Sequence, residues 1–206
     1  MILPEIKICG IKTNEEVALI NEYPVTYVGF IFAKSQRQVT IEKAIELRSL
    51  LRPDIEVVGV FMNQPVDIIL EAIQKCGLNK VQLHGDESNE MIESIPVPVW
   101  KSIAIKGPES LDQFSDYPRA EGLLLDTYHK GATGGTGKQF NWDLVEDLKI
   151  EQKLILAGGL TPENAVAATQ KVGPDVLDLN SGLETALIKD SEKVARLFKV
   201  LTESKR

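Results

Sequence analysis

The stretch "EIKICGIKT", residues 5–13, decides between the two folds open to this chain. Its first five residues alternate polar and apolar side chains, which is the pattern of a strand with one buried face. A dinucleotide-binding sheet would continue from that strand into a G-x-G-x-x-G turn, whereas Gly10 is the only glycine in this stretch. The turn therefore favours a closed barrel over an open doubly wound sheet.

Seven more β-rich apolar runs follow, separated by amphipathic helical segments. The runs are "YVGFIF", "EVVGVF", "KVQLHG", "PVWKSIAI", "GLLLDT", "KLILAGG" and "DVLDLNS", and helices are predicted over 14–22, 40–52, 65–76, 88–95, 141–149, 161–172 and 190–204. The fifth connection, residues 106–120, contains two prolines and is predicted to be a loop or a helical turn. Strict alternation implies parallel strands with right-handed crossovers. We predict an α/β protein with a single (β/α)8 TIM barrel domain over residues 1–206, its fifth helix short or missing.

Composition restricts the partners of the protein. The 206 residues include 30 acidic and 23 basic side chains, for a net charge of -7, and no basic run. This balance argues against nucleic acid or an anionic membrane as a partner. No apolar stretch approaches the ~20 residues of a membrane span. Two cysteines and no signal peptide pattern predict a cytoplasmic protein.

A barrel of this kind carries its functional groups where the strands end. Polar residues and glycines fall at those positions, and we take ten of them as candidate site residues: Cys9, Arg37, Gln82, His84, Asp126, Gly158, Gly159, Asn180, Ser181 and Gly182.

The strongest general signal is a phosphate site. "AGGL" at 157–160 and "LNSG" at 179–182 follow the last two strands, where barrels often bind phosphate through backbone N–H groups. A single glycine there would only indicate a tight turn. Two neighbouring glycine-containing loops favour phosphate.

Two side chains could transfer protons. Asp126 ends an apolar strand, where partial desolvation would keep a proton available near neutral pH, although a capping or salt-bridged carboxylate is the structural alternative. A lone cysteine is more often a small buried apolar residue, as we expect for Cys76. Cys9 differs because it ends a strand, where a thiolate could remove a proton with help from Lys7.

Other patterns exclude competing chemistry. "GATGGTGK", residues 131–138, fails as a P-loop because Ala132 and Gln139 stand where glycine and Ser/Thr are needed. We expect a glycine-rich lid there, with a passive loop as the alternative. His84 and His129 are the only histidines, so no metal site is predicted, and His84 is expected to form hydrogen bonds.

Across its whole length the chain resembles the phosphoribosylanthranilate isomerase family of tryptophan biosynthesis. The resemblance rests on "KICGIKT", "GFIFAKSQRQV", "VGVFMN", "VQLHGDE", "LLLDT", "GGTGKQFNW", "LAGGLTPENA" and "LDLNSGLE", in this order. It implies an Amadori rearrangement of N-(5-phosphoribosyl)anthranilate without cofactor or metal, carried out by a monomer or a homodimer. It also implies Cys9 as general base, Asp126 as general acid, Arg37 on the anthranilate carboxylate, and Gly158, Gly159, Ser181 and Gly182 on the phosphate.

Two alternatives remain at this point. Another phosphosugar barrel enzyme, such as an epimerase of pentulose phosphates, would need paired carboxylates or metal ligands. A barrel that binds phosphate without activity would not need Cys9, Asp126 and Arg37 together.

Overall fold

The computed structural model describes residues 3–127, 140–146, 148 and 150–204. Within these residues, strands and helices alternate from the first strand onward. The strands of the barrel are β1 Glu5–Cys9, β2 Tyr27–Ile31, β3 Glu56–Phe61, β4 Lys80–Leu83, β5 Val99–Ile105, β6 Gly122–Thr127, β7 Lys153–Leu156 and β8 Val176–Leu179. The helices are α1 Asn14–Ile20, α2 Ile41–Leu50, α3 Val66–Cys76, α4 Asn89–Ser94, α5 Ala165–Val172 and α6 Ser191–Glu203.

The eight strands form one closed ring of parallel pairs, which confirms the predicted (β/α)8 barrel. The ring closes between β1 and β8, where Lys7 lies in register with Asp178. On the other side of β1, Cys9 lies in register with Gly29 of β2. Because all strands run the same way, their carboxyl ends meet at one mouth of the barrel.

Alternation along each strand divides the core into two layers. In β1, Ile6 and Ile8 join the apolar layer between strands and helices, while Lys7 and Cys9 point into the barrel. A separate apolar cluster fills the barrel below its mouth, made of Tyr27, Val58, Trp100, Leu124, Ile155, Ala157 and Val176. The interior is therefore a packed plug that supports a polar upper end.

In the described residues, two connections contain a 3-10 helix and no α-helix. The fifth has a 3-10 helix, Pro108–Asp116, as its prolines indicated. The sixth was predicted to contain a helix over 141–149, and this prediction is wrong for the described residues, which form a short 3-10 turn, Trp142–Leu144. Trp142 and Val145 are the buried residues of this turn, and a spacing of three stacks side chains on one face of a 3-10 helix.

Chain segments after β8 form a feature that the sequence did not predict. A 3-10 turn, Ser181–Leu183, leads into a two-stranded antiparallel hairpin of β9 Glu184–Thr185 and β10 Ile188–Lys189. The hairpin returns the chain toward the mouth of the barrel. In the described part of the chain, no helix has both the length and the apolar character that crossing a membrane requires.

Trp100 tests the contribution of the inner cluster to stability. Its side chain is fully buried and packs edge-on against Tyr27, with the two ring centroids 5.0 Å apart. Its Nε1–H donates to the Glu121 carboxylate at 2.9 Å. We expect Trp100→Ala to lower the free energy of unfolding by about 3–5 kcal/mol in denaturant titrations, because a cavity replaces the indole. As a control, Ile45→Ala on the exposed side of α2 should cost about 0.5 kcal/mol or less. Equal costs for the two variants would contradict this account of the core.

Candidate active site

A cavity opens at the carboxyl ends of the strands. Leu124 and Ala157 of the inner apolar cluster form part of its floor. All ten candidate residues from the sequence line this one cavity: Cys9, Arg37, Gln82, His84, Asp126, Gly158, Gly159, Asn180, Ser181 and Gly182. Closure of the barrel thus brings together groups that lie far apart in the sequence.

Cys9 reaches the cavity because the neighbouring strand leaves room for its sulfur. A Cβ atom at Gly29 would lie 2.6 Å from the Cys9 Sγ, so glycine is required opposite the thiol. Burial raises the pKa of the Cys9 thiol, and the nearby positive charges of Lys7 and Lys189 partly oppose that rise. The side chain rests as a buried thiol beside a cation that would stabilise its thiolate form.

Lys7 is that cation, and it lies completely buried inside the barrel. Its Nζ donates to Asp178 Oδ2 at 2.7 Å and to Gln82 Oε1 at 2.9 Å. Burial alone would lower the pKa of Lys7, but the negative charges of Asp178 and of an ionised Cys9 outweigh it and raise the pKa. Asp178 Oδ1 is also buried and has no hydrogen-bond partner among the described residues.

Asp126 lies at the other side of the cavity, at the end of β6. Its Oδ1 accepts from the Thr127 backbone N–H at 2.7 Å, and its Oδ2 lies 3.4 Å from His84 Nε2. The Nδ1 atom of His84 lies 3.2 Å from Gln82 Nε2. Polar contacts therefore connect the Lys7 side of the barrel to Asp126.

Arg37 is held in place by the hairpin after β8. Glu184 accepts from Arg37 Nε at 2.8 Å and from Nη2 at 2.6 Å, and it also accepts from Lys189 Nζ at 2.7 Å. Burial alone would raise the pKa of Glu184, but hydrogen bonds from Arg37 and the charge of Lys189 lower it to about 2. The carboxylate occupies one edge of the guanidinium, and within the described residues no acceptor contacts Nη1.

Two loops of glycine-containing backbone meet at the third side of the cavity. Gly158 and Gly159 have positive φ angles of 81° and 68°, in the region that L side chains rarely adopt. Among the residues described, their N–H groups donate to no carbonyl oxygen. A Cβ atom at Gly182 would collide with the carbonyl oxygen of Leu160, so this glycine lets the β8 loop pack against the β7 loop.

Asn180 behaves differently from the glycines around it. It lines the cavity, yet its backbone oxygen and its Oδ1 both accept from Lys189 Nζ, at 3.2 and 3.0 Å. Its Oδ1 would also lie 2.8 Å from a Cβ atom added to Gly10. The side chain therefore fixes the loop after β8 to the hairpin.

The list of candidate residues from the sequence omits four charged residues that organise this site, although Lys7 was named there as a possible helper of Cys9. Lys7 and Asp178 carried a usable signal, because each lies two residues before a cavity-lining residue and so points into the barrel. Glu184 and Lys189 carried none, since their positions depend on a hairpin that the sequence did not predict.

Two sequence predictions fall on residues outside the described ones. They are the glycine-rich lid at 131–138 and the position of His129. Within the described residues, no group of three or more His, Cys, Asp or Glu side chains has an arrangement that could hold a metal ion.

A closed parallel barrel with acid, base and cationic groups at its carboxyl mouth has the architecture of the barrel enzymes. A model of the family described as N-(5'phosphoribosyl)anthranilate (PRA) isomerase matches residues 6–200. The chain belongs to the PRA isomerase family, and this confirms the resemblance seen in the sequence.

Individual relatives agree with this assignment. The chain is 40% identical over 191 residues to N-(5'-phosphoribosyl)anthranilate isomerase of Thermoanaerobacter sp. (strain X514), covering 92% of this chain and 94% of that one. It is similar to the crystal structure of phosphoribosyl anthranilate isomerase from Thermus thermophilus, with a TM-score of 0.88, 34% identity, and coverage of 98% and 100%. It is also similar to the crystal structure of PRA isomerase in complex with reduced 1-(o-carboxyphenylamino)-1-deoxyribulose 5-phosphate. That comparison has a TM-score of 0.84 and 30% identity, with coverage of 98% of this chain and 100% of that chain.

The Glu184 carboxylate makes stability depend on pH. Its pKa of about 2 in the folded protein lies below its ordinary value of 4.5, so its contribution is complete above about pH 5 and declines as the pH falls toward 2. We expect Glu184→Gln to lower the free energy of unfolding at pH 7 by up to about 3 kcal/mol. The difference from wild type should shrink when denaturant titrations are repeated at successively lower pH.

A surface ion pair provides the control. Glu93 contacts Arg119 at 3.2 Å with both side chains exposed, so Glu93→Gln should change stability by about 1 kcal/mol or less at every pH. A Glu184→Gln deficit that grows on acidification would contradict the proposed role of the ion pair.

Proposed function

We propose that this enzyme isomerises N-(5-phosphoribosyl)anthranilate to 1-(2-carboxyphenylamino)-1-deoxyribulose 5-phosphate in tryptophan biosynthesis. One observation carries the proposal: Cys9 and Asp126 line the same cavity from strands that lie three apart around the ring. A sugar placed across the mouth would have a thiol on one side and a carboxyl group on the other. Two free cysteines fit a cytoplasmic location.

The phosphate end of the substrate fits the glycine-containing loops. The N–H groups of Gly158 and Gly159, with those of Ser181 and Gly182, supply donors without bulky side chains. An anion bound by main-chain donors keeps a fixed position relative to β7 and β8. The ribose would then extend from these strands over the cavity floor.

The anthranilate end fits Arg37. Glu184 occupies the Nε edge of the guanidinium, which leaves Nη1 and the outward N–H of Nη2 to form a two-pronged contact with a carboxylate. The side chain is already immobilised by its ion pair, so binding costs little rotamer entropy. The two ends of the substrate thus set the position of C1' and C2' between acid and base.

Asp126 opens the ring in the first step. Its carboxyl group gives a proton to the furanose ring oxygen, the C1'–O4' bond breaks with its electron pair on oxygen, and the nitrogen lone pair forms a C1'=N iminium. Cys9, as thiolate, then removes the proton from C2', and the C–H electrons form a C1'=C2' double bond while nitrogen regains its lone pair. Lys7 stabilises the thiolate that this step requires.

The second half of the reaction converts the enolamine into the product. C1' gains a proton and the C2' hydroxyl loses one, which leaves the C2' ketone of the aminoketose. The iminium serves as the electron sink throughout, so the chemistry needs neither a metal ion nor an organic cofactor. Asp178 Oδ1, which is buried at the cavity and has no partner among the residues that the structure describes, is an acceptor for a sugar hydroxyl.

The test of this mechanism removes acid and base separately. We expect Cys9→Ala and Asp126→Asn each to lower kcat by about 10²–10⁴-fold, measured from the loss of anthranilate-linked fluorescence. Cys76→Ala is the matched control, because Cys76 is buried at the end of α3, outside the cavity. It should retain wild-type kcat.

The same assay separates the alternatives. Run with a chelator, it should show undiminished turnover of PRA, whereas a metal-dependent epimerase would lose activity and would not consume PRA. Normal kcat in Cys9→Ala or Asp126→Asn, in folded protein, would refute the assigned roles.

Arg37 should affect binding more than chemistry. Arg37→Lys keeps the positive charge but loses the planar fork, so we expect KM for PRA to rise about tenfold or more with a smaller change in kcat. Arg52→Lys is the control, because Arg52 pairs with Asp54 at the protein surface. An unchanged KM in Arg37→Lys would contradict the proposed contact between Arg37 and the substrate carboxylate.

A further inference from the structure

A line of polar contacts crosses the barrel from β8 to β6, and the Lys7 ammonium determines how the side chains beyond it are oriented. Lys7 Nζ donates to Asp178 Oδ2 and to Gln82 Oε1. An ammonium group has only donors, so the Gln82 side chain must present its carbonyl oxygen to Lys7. The amide nitrogen of Gln82 therefore faces the opposite way, toward His84.

This orientation fixes the tautomer of His84. The Gln82 Nε2 group carries only donors and lies 3.2 Å from His84 Nδ1, so Nδ1 must be the unprotonated, accepting nitrogen. The proton of the neutral imidazole then lies on Nε2, which is 3.4 Å from Asp126 Oδ2. His84 thus presents an N–H group toward the carboxyl group that acts as the proposed acid.

The same orientation also opposes a second proton on the ring. An imidazolium at His84 would point an Nδ1–H at the Gln82 amide N–H groups, donor against donor. Imidazole ordinarily binds a proton more strongly than a carboxylate, so a free His–Asp pair would hold a shared proton on the histidine. A proton held there would leave Asp126 as a carboxylate with nothing to give the ring oxygen.

We propose that Gln82, oriented by Lys7, is a positioning residue that keeps His84 in the neutral Nε2–H tautomer so that the acid proton stays on Asp126. A protonated Asp126 can still accept from Nε2–H through a remaining lone pair while its own proton is donated to the substrate. This inference rests on the proposed function for the role of Asp126. It moves Gln82 from a contact with substrate to an orienting group beneath it.

The charges around the pair support this arrangement. Lys7 is neutralised by Asp178, and Lys101 of β5 is buried in an ion pair with Glu87, in the loop after His84, at 3.2 Å. Cys9 rests as a buried thiol because burial raises its pKa. His84 contacts one acidic group, Asp126, and the charge of Asp178, which also acts on His84, is offset by Lys7. The hydrogen bond from Gln82 therefore decides which form the ring takes.

Ring-nitrogen NMR on the resting enzyme tests the tautomer directly. The chain has two histidines, so His129→Gln leaves the two ring nitrogens of His84 as the sole imidazole signals in long-range ¹H–¹⁵N spectra. We expect a protonated Nε2 and an unprotonated Nδ1 at pH 6. A proton on Nδ1 in the unmodified network, as the other tautomer or as imidazolium, would overturn the inference.

A variant that presents an acceptor instead of a donor to His84 provides the second test. Gln82→Glu supplies an acceptor to Nδ1, so the imidazolium signal should appear at pH 6 and kcat for PRA should fall about tenfold or more. Gln82→Met, which removes the donor without adding charge, should let Nδ1–H appear, and it serves if the glutamate variant fails to fold. Gln152→Glu adds the same charge beside β7 at the far end of the barrel and should change neither spectrum nor kcat.

The two proposals fail in different ways. The spectra are recorded without substrate and judge the tautomer whether or not PRA is consumed, while turnover by the wild type judges the proposed function. Gln82→Glu with an imidazolium at position 84 and full kcat would overturn the link between the tautomer and Asp126.

Discussion

The buried ammonium of Lys7 is the constraint on which the active site depends. An ion removed from water is costly unless charge and hydrogen bonds replace its solvation, and here Asp178 and Gln82 supply both. These partners come from β8 and β4, so the ion also fixes how three strands of the ring face one another. Its third effect is electrostatic, because its positive charge opposes the rise in the pKa of Cys9 that burial causes.

The mouth of the barrel concentrates positive charge in an acidic protein, yet most of that charge is already paired. Asp178 neutralises Lys7, and Glu184 binds both Arg37 and Lys189. In the proposed function, a substrate with a phosphate and a carboxylate is therefore bound by oriented donors rather than by a broad positive field. This explains how a chain of net charge -7 can bind a strongly anionic molecule. The paired carboxylates fix the orientation of the cationic side chains by holding each of them in one rotamer.

Sequence patterns predicted the parts of this structure that depend on local chemistry. The alternation in β1 placed Cys9 at a strand end, and the glycines after β7 and β8 marked backbone that must approach closely or adopt positive φ. Local patterns failed where contacts with distant residues determine the secondary structure. The segment around Trp142 has helical spacing but packs as a 3-10 turn.

The site shows the same division between local and distant information. Residue type and position identified ten residues that line the cavity, including Gln82 and His84. They could not show which atoms of these side chains face each other. That information arises only when the ring closes and Lys7 meets Asp178, residues 171 positions apart.

The ion pair between Arg37 and Glu184 has a consequence for how the protein is made. Its two partners are separated by 147 positions, and Glu184 follows the last strand of the barrel. A nascent chain on the ribosome can therefore pack its first βα units long before the guanidinium has a partner. The proposed recognition of the aromatic acid by Arg37 would be among the last properties that the growing polypeptide acquires, and a stalled translation product would carry Arg37 without the carboxylate that orients it.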